Sequence, residues 1–526
     1  MVLLDDSSAN GRMTMGRIQN VLLAGAASLL TVATAQAADL PLKAKPIQYV
    51  KVCSLYGAGF YFIPGTDICL KVGGYLRAEA DVNAGGTLTA AVGPGSVNNR
   101  DNINNRESSS FVQRSRSLWT LDTRAQTDYG IVRSYARTGI QWTTGDNVNA
   151  GSGAQAYIDR AFLQFGGLTA GRAVSFFDIY SFSLHSYQTN IIGSDSGGTG
   201  INLFAYTADF KDGLSATVSA EEHTSRSKPV VNTIGTSGFL NLNTVNNLGT
   251  GTSTSQSGQT LPNLVGNVRL DRAWGAVQAS VALADVGATY YSSGTSAASG
   301  GSALAIGGGG GGLPALGHPD DKLGYAATIG TVLNLPTARG DTLGIQAVYS
   351  RGASAYAGQG QSTFNVVRGD SIGMGFVTDA VYAGVGSDLE LTTAWSVTAG
   401  VEHNWNPAWR TSLYGGYENI SYNQNATAEI CAGLAPGGAG AFTSAGGFTP
   451  ANCNPDFSFW QVGSRTIWTP AAGLELGLDI LYNHINSAFE GPVNVSANGT
   501  IPAGPFSAHD QNVLSGVFRI QRSFVP

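Results

Sequence analysis

Charge is scarce in this sequence: Asp, Glu, Lys and Arg make up 12% of 526 residues, with 29 Lys+Arg against 35 Asp+Glu and a net charge of −6. That balance offers no basic surface of the kind a nucleic-acid partner requires. Long hydrophobic runs are also missing. Past residue 37 no stretch approaches the roughly 18 consecutive apolar residues of a membrane helix, although 43% of the chain is hydrophobic. The chain is poor in the Lys, Glu and Leu that build helical domains and rich in turn and strand residues, with 71 Gly, 20 Tyr and 21 Phe. An all-β chain follows, either soluble or crossing a membrane as strands.

The opening residues favour export. Arg12 and Arg17 precede an apolar run from Val21 to Ala33, and Ala35-Gln36-Ala37 supplies a small-x-small cleavage signal before Ala38. This is the pattern of a cleaved secretory leader over 1–37. Asp5 and Asp6 fit a positively charged leader badly, which points to a start at Met13 or Met15. A membrane anchor is the alternative, but the run is short for a span.

Cysteine is nearly as scarce as long apolar runs. Cys53 and Cys69 lie close together, as do Cys431 and Cys453. Four cysteines allow three pairings, and in an exported chain the two local disulfides are the expected set. Zinc is the alternative, yet neither pair has CxxC spacing and no His lies close by. No metal or cofactor is expected.

Strand signals recur as segments of about ten residues with period-2 alternation. Across 69–82, Leu70, Val72, Leu76, Ala78, Ala80 and Val82 share one face, while Lys71, Tyr75, Arg77, Glu79 and Asp81 share the other. Similar segments are predicted at 112–127, 130–143, 156–165, 168–173, 202–210, 214–223, 264–271, 276–286, 323–335, 341–350, 390–405, 409–421, 457–469, 474–486 and 512–524. That makes about sixteen, an even number as single-chain bacterial barrels require. Connections alternate between short turns, such as Asp128-Tyr129 and Gly166-Gly167, and long loops, such as 83–111, 174–201 and 224–263. Short periplasmic turns and long extracellular loops give this rhythm, with both termini in the periplasm. A soluble sandwich has no reason to keep that parity.

Aromatic residues support a transmembrane antiparallel β-barrel. Tyr129, Trp142, Trp274, Trp405, Trp409, Trp468 and Tyr482 lie near predicted strand ends, where interfacial girdles belong. Trp395 falls in mid-strand and does not fit the girdle. The glycine run Gly307 to Gly312 reads as loop filler, since a phosphate cradle would need a Lys-Ser/Thr and a strand–helix setting.

Basic residues mark the water-facing side of the first strands: Arg114, Arg116, Arg124, Arg133, Arg137, Arg160 and Arg172, with Lys71 and Arg77 on the strand before them. A charge on the lipid face costs roughly 2–4 kcal/mol at mid-membrane, so these positions are expected to line a lumen. The loop 174–201 carries an aromatic stretch from Phe176 to Phe182 that is too apolar for bulk solvent. It is expected to fold inward and narrow the pore, with Asp178 and Asp195 opposing the arginines in a transverse field. The competing expectation is that some arginines pair with Glu79, Asp81 and Asp122 only to stiffen the wall.

No catalytic constellation stands out. His185, His223, His318, His403, His484 and His509 are scattered singly, and no G-x-S-x-G motif sits between a strand and a helix. The reading is therefore not an enzyme.

Ala38-Asp39-Leu40-Pro41, residues 53–77 with their bracketing cysteines, Arg116-Ser117-Leu118-Trp119 and residues 171–178 make the sequence similar to the general-diffusion porins of alphaproteobacteria. The similarity runs over the mature chain except its loops. It implies a sixteen-stranded barrel over 69–526 behind a periplasmic segment 38–68, a homotrimer, an inward-folded third loop and passive exchange of small hydrophilic solutes and ions. Outer-membrane lipid and lipopolysaccharide would surround the wall. A solute-selective channel for sugars or anions, and a structural or adhesive surface barrel with a plugged lumen, are the alternatives. The chain departs from the usual barrel ending, because Phe524 is followed by Val525 and Pro526.

Overall fold

The computed structural model describes residues 51–84, 110–144, 154–181, 184–189, 192–233, 255–291, 314–358, 362–434, 453–495 and 504–524. The expected leader, the run Gly307 to Gly312, Phe182, Val525 and Pro526 lie outside them.

Sixteen antiparallel strands close into a barrel. The first half comprises β1 (Cys69–Val82), β2 (Phe111–Thr127), β3 (Gly130–Thr143), β4 (Gln155–Phe165), β5 (Leu168–Ala173), β6 (Ile201–Asp209), β7 (Leu214–Glu221) and β8 (Asn263–Arg272). The second comprises β9 (Gly275–Val286), β10 (Lys322–Asn334), β11 (Thr342–Arg351), β12 (Thr393–Asn406), β13 (Trp409–Ser421), β14 (Phe457–Ala471), β15 (Leu474–Asn486) and β16 (Gln511–Ser523). Each strand pairs with the next, and β16 returns to β1 with Ser523 opposite Tyr75 and Gly516 opposite Val82. Connections alternate short and long with the expected parity.

Alternation along each strand sorts the two faces. In β1, Val72, Leu76 and Val82 are exposed outward, while Tyr75, Glu79 and Asp81 are buried inward. The outward belt continues through Leu264, Val281, Ile329, Val397, Leu413, Ile480 and Phe518, all exposed. So continuous an apolar surface fits lipid rather than water. The expected strand 390–405 divides: Glu390–Leu391 joins a small sheet outside the barrel, and β12 begins only at Thr393. Trp395 thus lies near the extracellular end of β12, its ring 5.2 Å from Tyr417. That placement corrects the reading that excluded it from the girdle.

The long loops over the second half of the barrel are folded. Thr363–Arg368, Ser371–Phe376, Gly504–Ala508 and Gly491–Val495 form one sheet; Val230–Asn232, Ala380–Tyr382 and Glu390–Leu391 form another. A helix, α1 (Gln424–Leu434), is tied to its loop by the Cys431–Cys453 disulfide. Phe364, Phe376, Ile430, Phe457, Phe459, Ile485 and Phe489 form their common core. Composition hid this, because the apolar residues that meet in that core are dispersed over three separate loops and the ends of β14 and β15.

At the opposite end, Cys53–Cys69 pins the segment before β1. Tyr61–Phe62 pairs with Leu70 and Cys69. Lys71 Nζ donates to the Ala58 carbonyl at 3.2 Å, and Arg124 lies 4.9 Å from the Phe60 ring.

Candidate functional site

The inward faces of β16, β1, β2, β3 and β4 carry charge in horizontal rows, because antiparallel register sets like-facing residues side by side. One row in from Asp81, the inward acid nearest the long loops, Glu79 sits between Arg114 and Arg519. It accepts from Arg114 Nε at 2.7 Å and Arg519 Nε at 2.6 Å, so one buried carboxylate bridges β16, β1 and β2.

The next row is different. Arg77 and Arg116 are register partners, an arrangement that repels unless something intervenes. The hydrogen bonds that hold them come from neutral groups. Arg77 donates from Nε and Nη2 to Gln521 Oε1 at 2.9 and 2.7 Å and lies 4.2 Å from the Tyr75 ring. Arg116 donates to Gln141 Oε1 at 3.0 and 2.5 Å and lies 4.7 Å from the Tyr157 ring. Amides and ring faces orient a guanidinium without cancelling its charge. Glu79, whose oxygens already serve Arg114 and Arg519, lies 3.7 Å from Arg77.

Below these, Arg137 Nε lies 3.2 Å from Asp159 Oδ2, and its register partner Arg160 donates to the Asp159 and Gly197 carbonyls. Lowest, Arg124 and Arg133 share Asp122, at 2.8 and 3.0 Å. Lys71 is in register with Asp122 and faces the N-terminal segment.

Arg172 corrects the expected set. Its register partners are Ala161 and Asn202, and Ala161 belongs to the outward face opposite to that of Arg160. Arg172 therefore sits on the outer surface at the extracellular rim, 3.6 Å from Glu222. The inward positions of β5 are Thr169, Gly171 and Ala173. A charge is tolerated outside there because the lipid penalty fades near the interface.

The loop 174–200 lies against the opposite wall. Its root is held by Glu221, which accepts from Ser175 Oγ at 2.6 Å and the Phe176 amide at 2.9 Å, and by Asn267 and Gln278, which donate to the Phe176 carbonyl. Further along, Tyr180 OH meets His185 Nδ1 at 2.7 Å, and Ser186 Oγ donates to Asp479 at 2.8 Å. At the tip, Ser515 donates to Gln188, and Tyr187 lies beneath Arg519 with 3.8 Å from guanidinium to ring centre. Two rings rest where a wall strand carries glycine: a Cβ at Gly344 would come within 2.2 Å of Tyr180, and one at Gly477 within 2.1 Å of Tyr187.

Neither acid of this loop opposes the arginines in the way the sequence reading expected. Asp178 is buried and accepts from Arg226 Nη2 at 2.7 Å, Ser194 Oγ at 2.5 Å and the Ser196 amide at 2.7 Å. Asp195 accepts from Ser181 Oγ at 2.8 Å and the Gly197 amide at 2.6 Å. Asp195 is spent on the loop's own fold, and Asp178 on joining its two arms to Arg226 of another loop. Sequence reasoning missed Arg226 because its partner lies 48 positions away and no local pattern marks a buried ion pair. It also missed the inward glycines, whose signal is their place on the polar face of strands otherwise rich in side chains.

Comparison with known proteins agrees with this architecture. Residues 39–517 match the family model described as "Porin subfamily". Porin Omp2b of Brucella melitensis biotype 1 and of Brucella suis biovar 1 are each 25% identical over 283 residues, covering 51% of this chain and 66% of the relative, just under two thirds of its length. The outer membrane channel DcaP of Acinetobacter baumannii superposes with a TM-score of 0.51 at 13% identity, over 88% of this chain and 99% of that one, a likeness of fold. A closed sixteen-stranded barrel with an inward loop and a family match over most of its length together establish that the chain belongs to the porin subfamily.

Proposed function

We propose that this protein is exported to the Gram-negative outer membrane behind a cleaved leader and forms a water-filled channel for passive diffusion of small hydrophilic solutes and ions, with a preference for anions. The observation that carries the preference is that the hydrogen bonds holding Arg77 and Arg116 come from neutral amides, while Glu79, 3.7 Å from Arg77, is already shared by Arg114 and Arg519. Of the basic residues on the inner wall, Arg114 and Arg519 share Glu79, and Arg124 and Arg133 share Asp122. Arg77 and Arg116 keep their charge in the row between Arg519, which stacks on Tyr187 of loop 174–200, and Arg160, which donates to Gly197 of the same loop, while the loop acids Asp178 and Asp195 are engaged elsewhere. Fixed charge of one sign in a confined aqueous path enriches the opposite ion.

The resemblance to general-diffusion porins supports a homotrimer, and so does the outer wall. β2 and β3 present Ser115, Ser117, Ser134 and Thr138 outward among Trp119, Leu121, Ile140 and Trp142, where β8 to β12 present Val268, Val281, Ile329 and Val397. Hydroxyl-bearing positions facing hydrocarbon are better served by protein than by lipid.

The test is current through single channels of purified protein in a planar bilayer, with a salt gradient to give the reversal potential. A current growing with salt, closing in steps of three and reversing on the anion side is expected. A reversal on the cation side would overturn the selectivity, independent single steps would overturn the trimer, and correctly folded protein without current would favour the plugged surface barrel. Saturation of the current by one solute would favour the solute-selective channel.

A further inference from the structure

We propose that Arg226, a residue of the extracellular loop after β7, is a positioning residue for ion selectivity: it neutralises and seats Asp178, so that the constriction is read by passing ions as basic alone. The proposal rests on the channel reading above, since its readout is current.

Arg226 is fully buried, as is expected of an arginine only when partners replace its water. Its Nη2 donates to both Asp178 oxygens at 2.8 and 2.7 Å, its Nη1 donates to Ser194 Oγ at 2.9 Å, and its guanidinium lies 4.9 Å from the Tyr356 ring. Ser194 and Ser196 in turn donate to Asp178. The ascending and descending arms of loop 174–200 are thus joined at one carboxylate, and the cation that balances it comes from another loop. Glu221, which holds the root of the same loop through Ser175 and Phe176, is a second buried acid close to this guanidinium.

The segment carrying Arg226 is itself fixed from outside. Two residues on, the Lys228 amide donates to Asp379 at 2.6 Å, and the Ser354 amide donates to the other oxygen of Asp379 at 2.7 Å. Val230–Asn232 then pairs in parallel with Ala380–Tyr382. Tyr356, two residues after Ser354, packs its ring 4.6 Å from Phe177 of the inward loop. An unbroken set of contacts therefore runs from the extracellular sheet through Arg226 to the constriction, which makes residues 224–232 part of the selectivity apparatus although they lie outside the membrane-spanning strands.

The charge arithmetic gives a test that a scaffold role would not pass. Arg226→Met removes one positive charge and leaves Asp178 uncompensated, so the reversal potential should move toward the cation side. Asp178→Asn removes one negative charge and should move it toward the anion side. The double variant restores the net charge and should return the reversal potential to that of the parent. Replacing both members of a buried pair is also far less damaging than removing one, so the double variant separates a failure to fold from a change of selectivity; Asp178→Asn, an isosteric change that leaves Glu221 beside Arg226, carries the charge test if Arg226→Met alone does not fold. Arg226→Lys should lie between parent and Arg226→Met, because an ammonium keeps the charge but not the two-pronged geometry. Shifts in opposite directions that cancel in the double variant support the proposal. Shifts of one sign in both single variants, or reversal potentials that do not move while conductance changes, would overturn it and leave Arg226 a strut. Each variant is compared with parent channels that carry current, so a silent parent protein would count against the channel reading before any variant is measured.

Discussion

At the scale of single residues, the distinction that governs this lumen is between arginines bound by carboxylates and arginines bound by amides. Arg116 belongs to the second kind, held by Gln141 and the ring of Tyr157. A unit charge acts on an ion 4 Å away with about 1 kcal/mol in water, roughly a fivefold effect on occupancy, and salt screens it beyond about 10 Å at 0.1 M. Arg116→Gln should therefore lower the anion-to-cation permeability ratio by roughly threefold to fivefold at low salt and much less at 1 M. The measurement is reversal potential against ionic strength; a shift independent of salt would contradict an electrostatic origin. Arg172→Gln is the natural control, since that residue sits on the outer rim beside Glu222 and should leave the ratio unchanged.

At the scale of elements, the inward loop is seated by shape as well as by hydrogen bonds. Tyr180 lies over Gly344 so closely that no side chain fits between them. Gly344→Val should drive the ring off the wall and the loop toward the arginines of β1 to β4, lowering single-channel conductance while the barrel still forms; unchanged conductance would mean the loop does not bound the path. Outside the barrel, Asp379 ties residues 228 and 354 together, and burial pushes its carboxyl up to about 7. A raised carboxyl pKa favours the folded loops while the group is protonated, so this contribution is full below the unfolded value near 3.9 and is lost as pH rises through about 7. Hydrogen-exchange protection of the Ala380–Tyr382 sheet should accordingly be greater at pH 5.5 than at pH 8.5 once intrinsic exchange rates are divided out, and the opposite order would refute the assignment. These elements also mark what the sequence discloses. Strands such as β1 are legible because Leu70, Val72 and Leu76 against Lys71, Tyr75 and Arg77 repeat within a few positions, and turn parity is legible because it is a matter of counting. The partners of Asp178, the rim position of Arg172, the start of β12 and the folded loops are not, because each depends on which distant residue arrives beside it. A period-2 pattern assigns two faces to a strand without saying which one a short, weakly patterned strand such as β5 turns inward.

At the scale of the molecule, closure depends on a seam between the first strand and the last. Glu79 crosses it, gripping Arg519 on β16 and Arg114 on β2. Glu79→Gln would leave two buried guanidiniums short of their counter-charge, and removing one partner of a buried ion pair costs about 3–5 kcal/mol. The expected result is a marked fall in the urea midpoint of the folded barrel and in the temperature at which unheated-gel mobility is lost; an unchanged midpoint would show that the triad is dispensable. The pairing at this seam ends early. β16 reaches Ser523, opposite Tyr75, and the Phe524 amide donates to the Gly74 carbonyl, yet β1 continues down to Cys69. On that remaining edge Tyr61–Phe62 takes Leu70 and Cys69, with Cys53–Cys69 locking it in place. An uncovered strand edge invites an alien strand, and a sliding strand that stops one position off turns every side chain to the wrong face. The short pinned segment is a doorstop in position: it fills the edge of β1 just beyond the reach of β16, so a β16 shifted further along β1 would run into it.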